Sequence, residues 1–391
     1  MTEVIIAGIG QTPVGEHWDT SLRDLAYSAL NTAIKGAGGL RPQALFVANM
    51  LAPNLSHQAH LGALIADYAR LRFDSAQHLA GIEAVTIEAA GASGGAALRQ
   101  AYLAIKSELV DTALVVGVEK FTDQVGAGVE EALATASDSD FESVHGLTTS
   151  AQAALLMKRY MHEYDVPADG FAGFAIAAHA NGAGNPNAMF QKAIKTETYT
   201  RSGKSPNMFD MAPPADGAAA LVLTRRDLLP SNWPHPLVKI SGSATASDTL
   251  SLHDRKDLLY FEAAQLSAGR AMKQADVILE QIDLFEYHDA FNIYAALSLE
   301  SVGFAIRGQG WKLAAEGQIA LNERIPCATM GGLKARGFPG GATGVYQAVE
   351  AVQQLWGQAN ANQIPDAEVA LIQSLGGPAS TAVAHILQRV E

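Results

Sequence analysis

His288 is the side chain that most invites a chemical reading. It stands in the run Tyr287-His288-Asp289-Ala290-Phe291, where an apolar strand signal ends and an apolar helical pattern begins. An imidazole at such a junction is suited to hold or donate a proton near neutral pH. A second candidate needs no side chain at all. Val85 to Leu98 reads VTIEAAGASGGAAL: a β-branched run, a glycine corner at Gly91, Gly94 and Gly95, and then a small-residue helix. Strand, sharp turn and helix start together expose backbone N–H groups at a helix N-terminus, where an oxyanion or another negative group can sit. Tyr294 and Tyr346 fall one turn into helices beside these segments. Each is read either as a phenolic acid or as packing. Asp289, just before the helix that begins near Phe291, reads as its cap. Cys327, the one cysteine, is either a buried, inert thiol or a displaced nucleophile.

The elements that must position these residues alternate. Val4–Gly10, Ala44–Met50, Thr112–Val118, Val238–Ser243, Ile282–Tyr287 and Val369–Ser374 read as strands. Helical patterns start at Ser21, whose spacing to Asp24 resembles a capping box, and extend over His57–Arg70, Phe261–Gln274 and Phe291–Ser301. Such alternation predicts an α/β protein with a mostly parallel sheet covered on both faces. Between Phe121 and Pro206 the pattern loosens around helices at Thr149–Tyr164 and Gly170–Ala180. An insertion of that length is expected to carry substrate contacts. The acidic run Asp138–Glu142 reads as a solvated loop.

Composition narrows the function. With 391 residues, 48% of them hydrophobic and 36 of them glycine, the chain is long enough for two close-packed units. A net charge of −13 argues against a nucleic-acid partner. One cysteine rules out an internal disulfide and a cysteine-based metal cluster. The start, MTEVIIAGIG, enters a strand directly, without a signal-peptide pattern, and no apolar run is long enough to span a membrane. A cytoplasmic protein is expected. The halves also echo each other: Gly91-Ala-Ser-Gly94-Gly95-Ala96 matches Gly337-Phe-Pro-Gly340-Gly341-Ala342, and a helix follows each. That pairing predicts an internal duplication.

Five ordered motifs resemble the thiolase superfamily: EAAGASGGAA at Glu88–Ala97, DGAAALVL at Asp216–Leu223, HDAF at His288–Phe291, GGLKARGFPGGATG at Gly331–Gly344 and SLGG at Ser374–Gly377. HDAF points to the sterol-carrier, lipid-transfer and archaeal acetyltransferase branch. The resemblance implies a duplicated, layered fold, α-β-α-β-α, in which two α/β halves with mixed central sheets flank an inserted loop domain. The expected units are residues 1–120 with about 207–245, the insertion 121–206, and 246–391. The resemblance further implies coenzyme A or acyl-CoA as ligand with no tightly bound cofactor. It also implies a homodimer or dimer of dimers, and in this branch a small zinc-ribbon/OB-fold partner protein.

The departures bear on mechanism. Members of this superfamily attack a thioester with a cysteine, activated by a histidine, and use a second cysteine as base. The matching positions here are Gly91, Phe338 and Ser374. His288 matches a residue that polarises the thioester oxygen, and the backbone of Gly91 and Gly376 would form a second anion hole. His145, before the insertion's helix, is expected to face the acyl pocket, and the intact turn at Gly340 to contact substrate. Two readings follow. One is an enzyme that makes or breaks carbon–carbon bonds in an acyl-CoA without an acyl-cysteine, as in a retro-aldol cleavage, although aldolases of this type carry tyrosine motifs where this chain keeps His288. The other is a non-catalytic acyl-CoA-binding or scaffold subunit.

Overall fold

The computed structural model describes residues 2–72, 79 and 81–390. β1 (Val4–Gln11) opens the chain, and α1 (Leu22–Gly36) follows it. Ser21 caps α1, its Oγ accepting the Asp24 N–H at 3.2 Å, which satisfies one of the helix's free donors. After the fully buried β2 (Ala44–Ala48) comes a short α2 (Ala52–Leu55), and the helix expected over His57–Arg70 begins only at Leu61, as α3 (Leu61–Arg72). His57 and His60 both adopt left-handed backbone angles, φ 51° and 60°, and so delay its start. β3 (Glu83–Ile87), α4 (Ser93–Lys106) and β4 (Thr112–Glu119) complete the first run. The stretch 121–206 carries α5 (Ala127–Ala134), α6 (Thr149–Glu163), α7 (Ala172–Ala183) and α8 (Thr196–Arg201), and no strand. β5 (Gly217–Arg225) and β6 (Leu237–Ser247) lead into α9 (Glu262–Ala275), β7 (Leu284–Glu286), α10 (Asn292–Val302) and α11 (Gly310–Ala315). The chain then runs through α12 (Thr343–Leu355), β8 (Val369–Gly376) and β9 (Thr381–Val390).

The strands lie in the order β3-β2-β4-β5-β1-β6-β9-β8-β7. Only β2 with β3 and β4, and β7 with β8, pair in parallel; the remaining pairs are antiparallel. The sheet is therefore mixed, not mostly parallel. β9 turns straight back from β8 without a crossover helix, and β5 returns beside β4 after the insertion. The halves touch along the sheet at one residue pair, Ile5 with Lys239. α4 and α12 lie between them, sharing one apolar cluster with residues of β1, β2, β4, β5, β6, β7, β8 and β9. α1 and α3 cover the other face of the first half, and α9 and α10 that of the second. Helix, strand, helix, strand, helix is the resulting layering.

The duplication is visible in the backbone. A bulge between Ile6 and Gly8 in β1 recurs between Ile240 and Gly242 in β6. At both glycines a helix carbonyl presses in: a Cβ on Gly8 would lie 2.2 Å from the Ala33 oxygen, and one on Gly242 2.0 Å from that of Ala271. The loop repeat has a different register from the one its glycines suggest. The tight turn Ala90–Ala92 before α4 corresponds to Gly340–Ala342 before α12, with Ala90 at φ 50° and Gly340 at φ 44°. Gly91 thus pairs with Gly341, not Gly337, and Gly94 with Gly344. Matching by residue identity aligned glycines that do different work.

Candidate functional site

His288 is carried just beyond the end of β7. It is 3% exposed, and its Nδ1 has no hydrogen-bond partner among the described residues. Burial, and next the nearby Arg336 guanidinium, push its pKa down to about 3. The imidazole is consequently neutral across the physiological range. It is a weak base but a competent hydrogen-bond donor to a developing oxyanion. Asp289 does not cap α10, whose N-cap is Phe291. Its carboxylate accepts the Leu333 N–H at 2.7 Å and so ties down the turn Gly332–Arg336. Within that turn Arg336 is buried against Glu350 at 2.8 Å, with its guanidinium 4.8 Å from the centroid of the Tyr346 ring.

Gly91 faces His288. A Cβ at position 91 would lie 3.0 Å from His288 Cε1, 3.3 Å from Nε2 and 2.7 Å from the Leu375 carbonyl oxygen. The space a side chain would fill is taken by the imidazole and the end of β8. The repeat indicates what the backbone here is built to hold. At the equivalent turn, the Gly341 N–H donates to Glu119 Oε2 at 2.9 Å, and the same carboxyl group accepts from Asn49, Met50 and Leu51. Burial pushes Glu119 up to about 7 against those donors. The second half's turn thus has the protein's own carboxyl group as its anion. In the Gly91 turn Glu88 Oε1 accepts the Ala90 N–H at 2.6 Å, no carboxyl group among the described residues accepts from Gly91 itself, and the turn opens onto a cavity.

That cavity has a volume of about 500 Å³. Gly91, His288, Phe338, Leu375 and Gly377 line it; the insertion contributes Leu133, Thr149, Ser150, His179 and Phe190 among others. Its wall is largely apolar, with Met50, Met208, Met211, Phe209 and Phe291. The insertion therefore contacts whatever fills the cavity. Among the described residues no group of three His, Cys, Asp or Glu comes together to hold a metal ion.

The other sequence-derived candidates separate. Phe338 does line the cavity, its ring edge-on to His288 with centroids 5.7 Å apart and 6.2 Å from that of Phe121. Tyr294 lines it too, with its hydroxyl buried and unpartnered. Burial raises its pKa, which keeps the phenol protonated. Ser374 is not on the cavity. Its Oγ lies over the starts of α4 and α12, 2.4 Å from a Cβ on Gly95 and 2.9 Å from one on Gly344. Successive strand residues point to opposite faces, so Leu375 reaches the cavity and Ser374 does not. Gly376 is paired with Thr381 inside the sheet, and its neighbour Gly377 is the cavity residue.

His145 is exposed at the end of a short turn, Ser143–His145, away from the cavity. The preceding loop is not freely solvated, because Glu142 is buried and accepts the Leu252 N–H at 2.8 Å. Tyr346 donates to the Thr12 carbonyl at 3.0 Å in the core between the halves. Gly340 lies against the Glu119 carboxyl group, also outside the cavity. Cys327 is buried, with Sγ 3.3 Å from the Ile325 carbonyl oxygen, and burial raises its pKa well above the ordinary value. Without thiolate and without access to the cavity, it is no nucleophile.

Among the cavity residues that went unnoticed in the sequence are Lys334 and His179. Lys334 is 2% exposed and donates to the Asp210 carbonyl at 2.7 Å. Burial lowers it to about 8, against the pull of Asp289 and Asp210. His179, on α7, has a ring nitrogen bonded to the Lys192 backbone and its Nδ1 unpartnered. The available signal was a charged residue inside the glycine-rich GGLKARG run, and a lone histidine in the small-residue stretch AIAAHANGA.

Residues 4–213 match the family described as thiolase, N-terminal domain, and residues 244–389 the thiolase C-terminal domain-like family. An acetyl-CoA acetyltransferase of Methanothermobacter thermautotrophicus is 38% identical over 394 residues, covering 100% of both chains. A steroid side-chain-cleaving aldolase of Thermomonospora curvata is 28% identical over 370 residues, covering 89% of this chain and 90% of the relative. Among solved structures, the Ltp2-ChsH2(DUF35) aldolase superposes with a TM-score of 0.80 at 24% identity, over 99% of this chain and 98% of that one. At that identity the likeness speaks to the fold.

Proposed function

This chain belongs to the thiolase family, and from that premise we propose that it makes or breaks a carbon–carbon bond in an acyl-CoA thioester without an acyl-cysteine intermediate. The observation that carries this reading is the convergence of neutral His288 and the Gly91 turn on one end of an apolar cavity whose lining contains no thiol. A site of this kind stabilises an enolate but has nothing to acylate.

Retro-aldol cleavage of a 3-hydroxyacyl-CoA suits it. The substrate hydroxyl gives its proton to a water molecule and the Cα–Cβ bond breaks to leave a carbonyl compound; because a proton is later returned at Cα, the reaction consumes no other reactant. The bonding pair is held as the enolate on the thioester oxygen, which His288 and the Gly91 backbone stabilise. Cα then takes up a proton to give the shortened acyl-CoA. The named activity of the Thermomonospora relative supports the aldolase direction, and that of the Methanothermobacter relative supports an acyl-CoA substrate. The solved aldolase is named together with a DUF35 partner, which supports a protein partner here. Among the described residues β3 pairs only with β2, which leaves its other edge unpaired, and Val85 within it is exposed; this supports at least a dimer.

The test is to incubate the protein with 3-hydroxyacyl-CoAs and follow release of the carbonyl product and shortened thioester. Intact mass after acetyl-CoA treatment should be unchanged. A covalent acetyl adduct would overturn the non-covalent mechanism. Tight thioester binding with no turnover, alone or with a partner, would make the chain a binding subunit.

A further inference from the structure

The duplication gives each group around the Glu119 carboxyl a counterpart in the other half. Through their shared bulge, β5 and β9 align Leu223 with Leu387, and so Gly217 with Thr381. Glu119 pairs with Gly217 and Gly376 with Thr381, so Gly376, with no side chain, stands where Glu119 does. The parallel registers of β2 on β4 and β7 on β8, carried on past the strand ends, match Met50 with Ala290 and Leu51 with Phe291. In the second half's turn the two oxygens of Glu119 take four donors at 2.8–3.1 Å: the N–H groups of Gly341, Met50 and Leu51 and the Asn49 amide. The counterparts Gly91, Ala290 and Phe291 all line the cavity, and none of their N–H groups has an acceptor among the described residues.

The fourth donor is replaced. Asp289 stands in the place of Asn49 but is turned to the Leu333 N–H, and the His288 ring reaches the turn instead. That ring is more than nine-tenths buried, with Nε2 3.3 Å from a Cβ built on Gly91. Its Nδ1 is sealed off without a partner, so the neutral ring can carry its proton at Nε2. We propose that this end of the cavity binds the carboxylate of a free, apolar monocarboxylic acid, with the Gly91 N–H and His288 Nε2 as donors and the tail along the apolar wall. A thioester brings one weakly basic oxygen to this place, whereas the equivalent donor set in the other half serves two charged ones. The remaining ionisable groups on the wall admit one negative charge. Glu130, which accepts from the Ser150 hydroxyl at 3.3 Å, is outnumbered by Lys192 and Lys334, while burial keeps the Tyr294 phenol and the His179 ring neutral. A dianion such as phosphate would overshoot that balance in an apolar site. The inference concerns the cavity alone and does not depend on CoA.

The experiment measures binding of octanoate, octanamide and octanoyl-CoA by calorimetry at neutral pH, with a crystal structure of the octanoate complex. Octanamide has the same chain and a carbonyl but no charge, so octanoate should bind about tenfold or more tightly, the margin of charged over neutral hydrogen bonds. His288→Phe should cut that margin at least about threefold, and Lys192→Met should leave it within about threefold. Gly376→Glu offers the Gly91 turn a carboxyl group of the chain's own, as Glu119 does for Gly341, and should abolish octanoate binding. A Cβ there meets the Ala89 carbonyl at 2.7 Å, so thermal melts check folding; if this variant does not fold, His288→Phe and the crystal structure decide. In the crystal the carboxylate should lie within hydrogen-bond distance of the Gly91 nitrogen. The inference is overturned if octanamide binds as tightly as octanoate, if the carboxylate lies on Lys192 or Lys334, or if folded Gly376→Glu binds octanoate as the parent does. Octanoyl-CoA binding without octanoate binding overturns this inference and leaves the acyl-CoA reading standing; the reverse result removes that reading and leaves this inference in place.

Discussion

His288 acts through a neutral ring. Because its pKa is pushed down to about 3, the imidazole stays neutral as pH falls through the ordinary histidine range, and takes up a second proton only toward pH 3. A pH–rate profile of turnover should therefore show no limb near 6.5 that His288→Ala removes. His288→Ala itself should lower turnover on the order of 10²–10³-fold, with an unchanged circular dichroism spectrum. A variant that keeps full activity would move the chemistry off this ring. At position 91 the expected effect is on stability. A methyl group there meets the Leu375 carbonyl at 2.7 Å, so Gly91→Ala should cost about 1–3 kcal/mol, read from the denaturant midpoint. For the same reason a cysteine grafted at 91 would need the β8 end to move before it reached a substrate.

The central helices determine how the two halves fit. α4 and α12 meet at their first turns: a Cβ on Gly94 would lie 2.7 Å from the Gly344 nitrogen, and one on Gly344 2.2 Å from the Gly95 nitrogen. Both obstacles are backbone and cannot rotate away. Gly344→Ala should thus cost more than about 2 kcal/mol or prevent folding. Gly269 supplies the control, since it lies on the exposed face of α9 with open space around it. Gly269→Ala should stabilise by about 0.5–1 kcal/mol in the same denaturation assay. If both changes proved neutral, the close contact between the helices would not be what holds the halves together.

For the whole molecule, the edge of β3 is the feature with the clearest consequence. Val85 is exposed and, among the described residues, the outer edge of β3 is unpaired, which offers a template for another strand. Analytical ultracentrifugation should find at least a dimer, and Val85→Lys should shift it toward monomer without unfolding it. A parent that sediments as a monomer would remove the dimer from the proposal.

Much of this protein was legible along the chain. Apolar runs located β1, β4 and α10, which are buried on nearly all sides, and apolar periodicity located α6 and α9, whose one buried face sets the spacing of their apolar residues, all to within a few residues. The ordered motifs from Glu88 to Gly377 identified the family, and they marked His288, Gly91 and Phe338, which the fold brings to one cavity. What remained hidden depends on direction and distance in space. Ser374 and Leu375 are neighbours in sequence, but strand alternation sends one toward the central helices and the other to the cavity. The repeat register escaped because Gly91, Gly337 and Gly341 are the same residue type, and only backbone angles and contacts distinguish their work. Lys334 and His179 are brought to one cavity from positions 155 residues apart by their numbers, which the order of amino acids does not display.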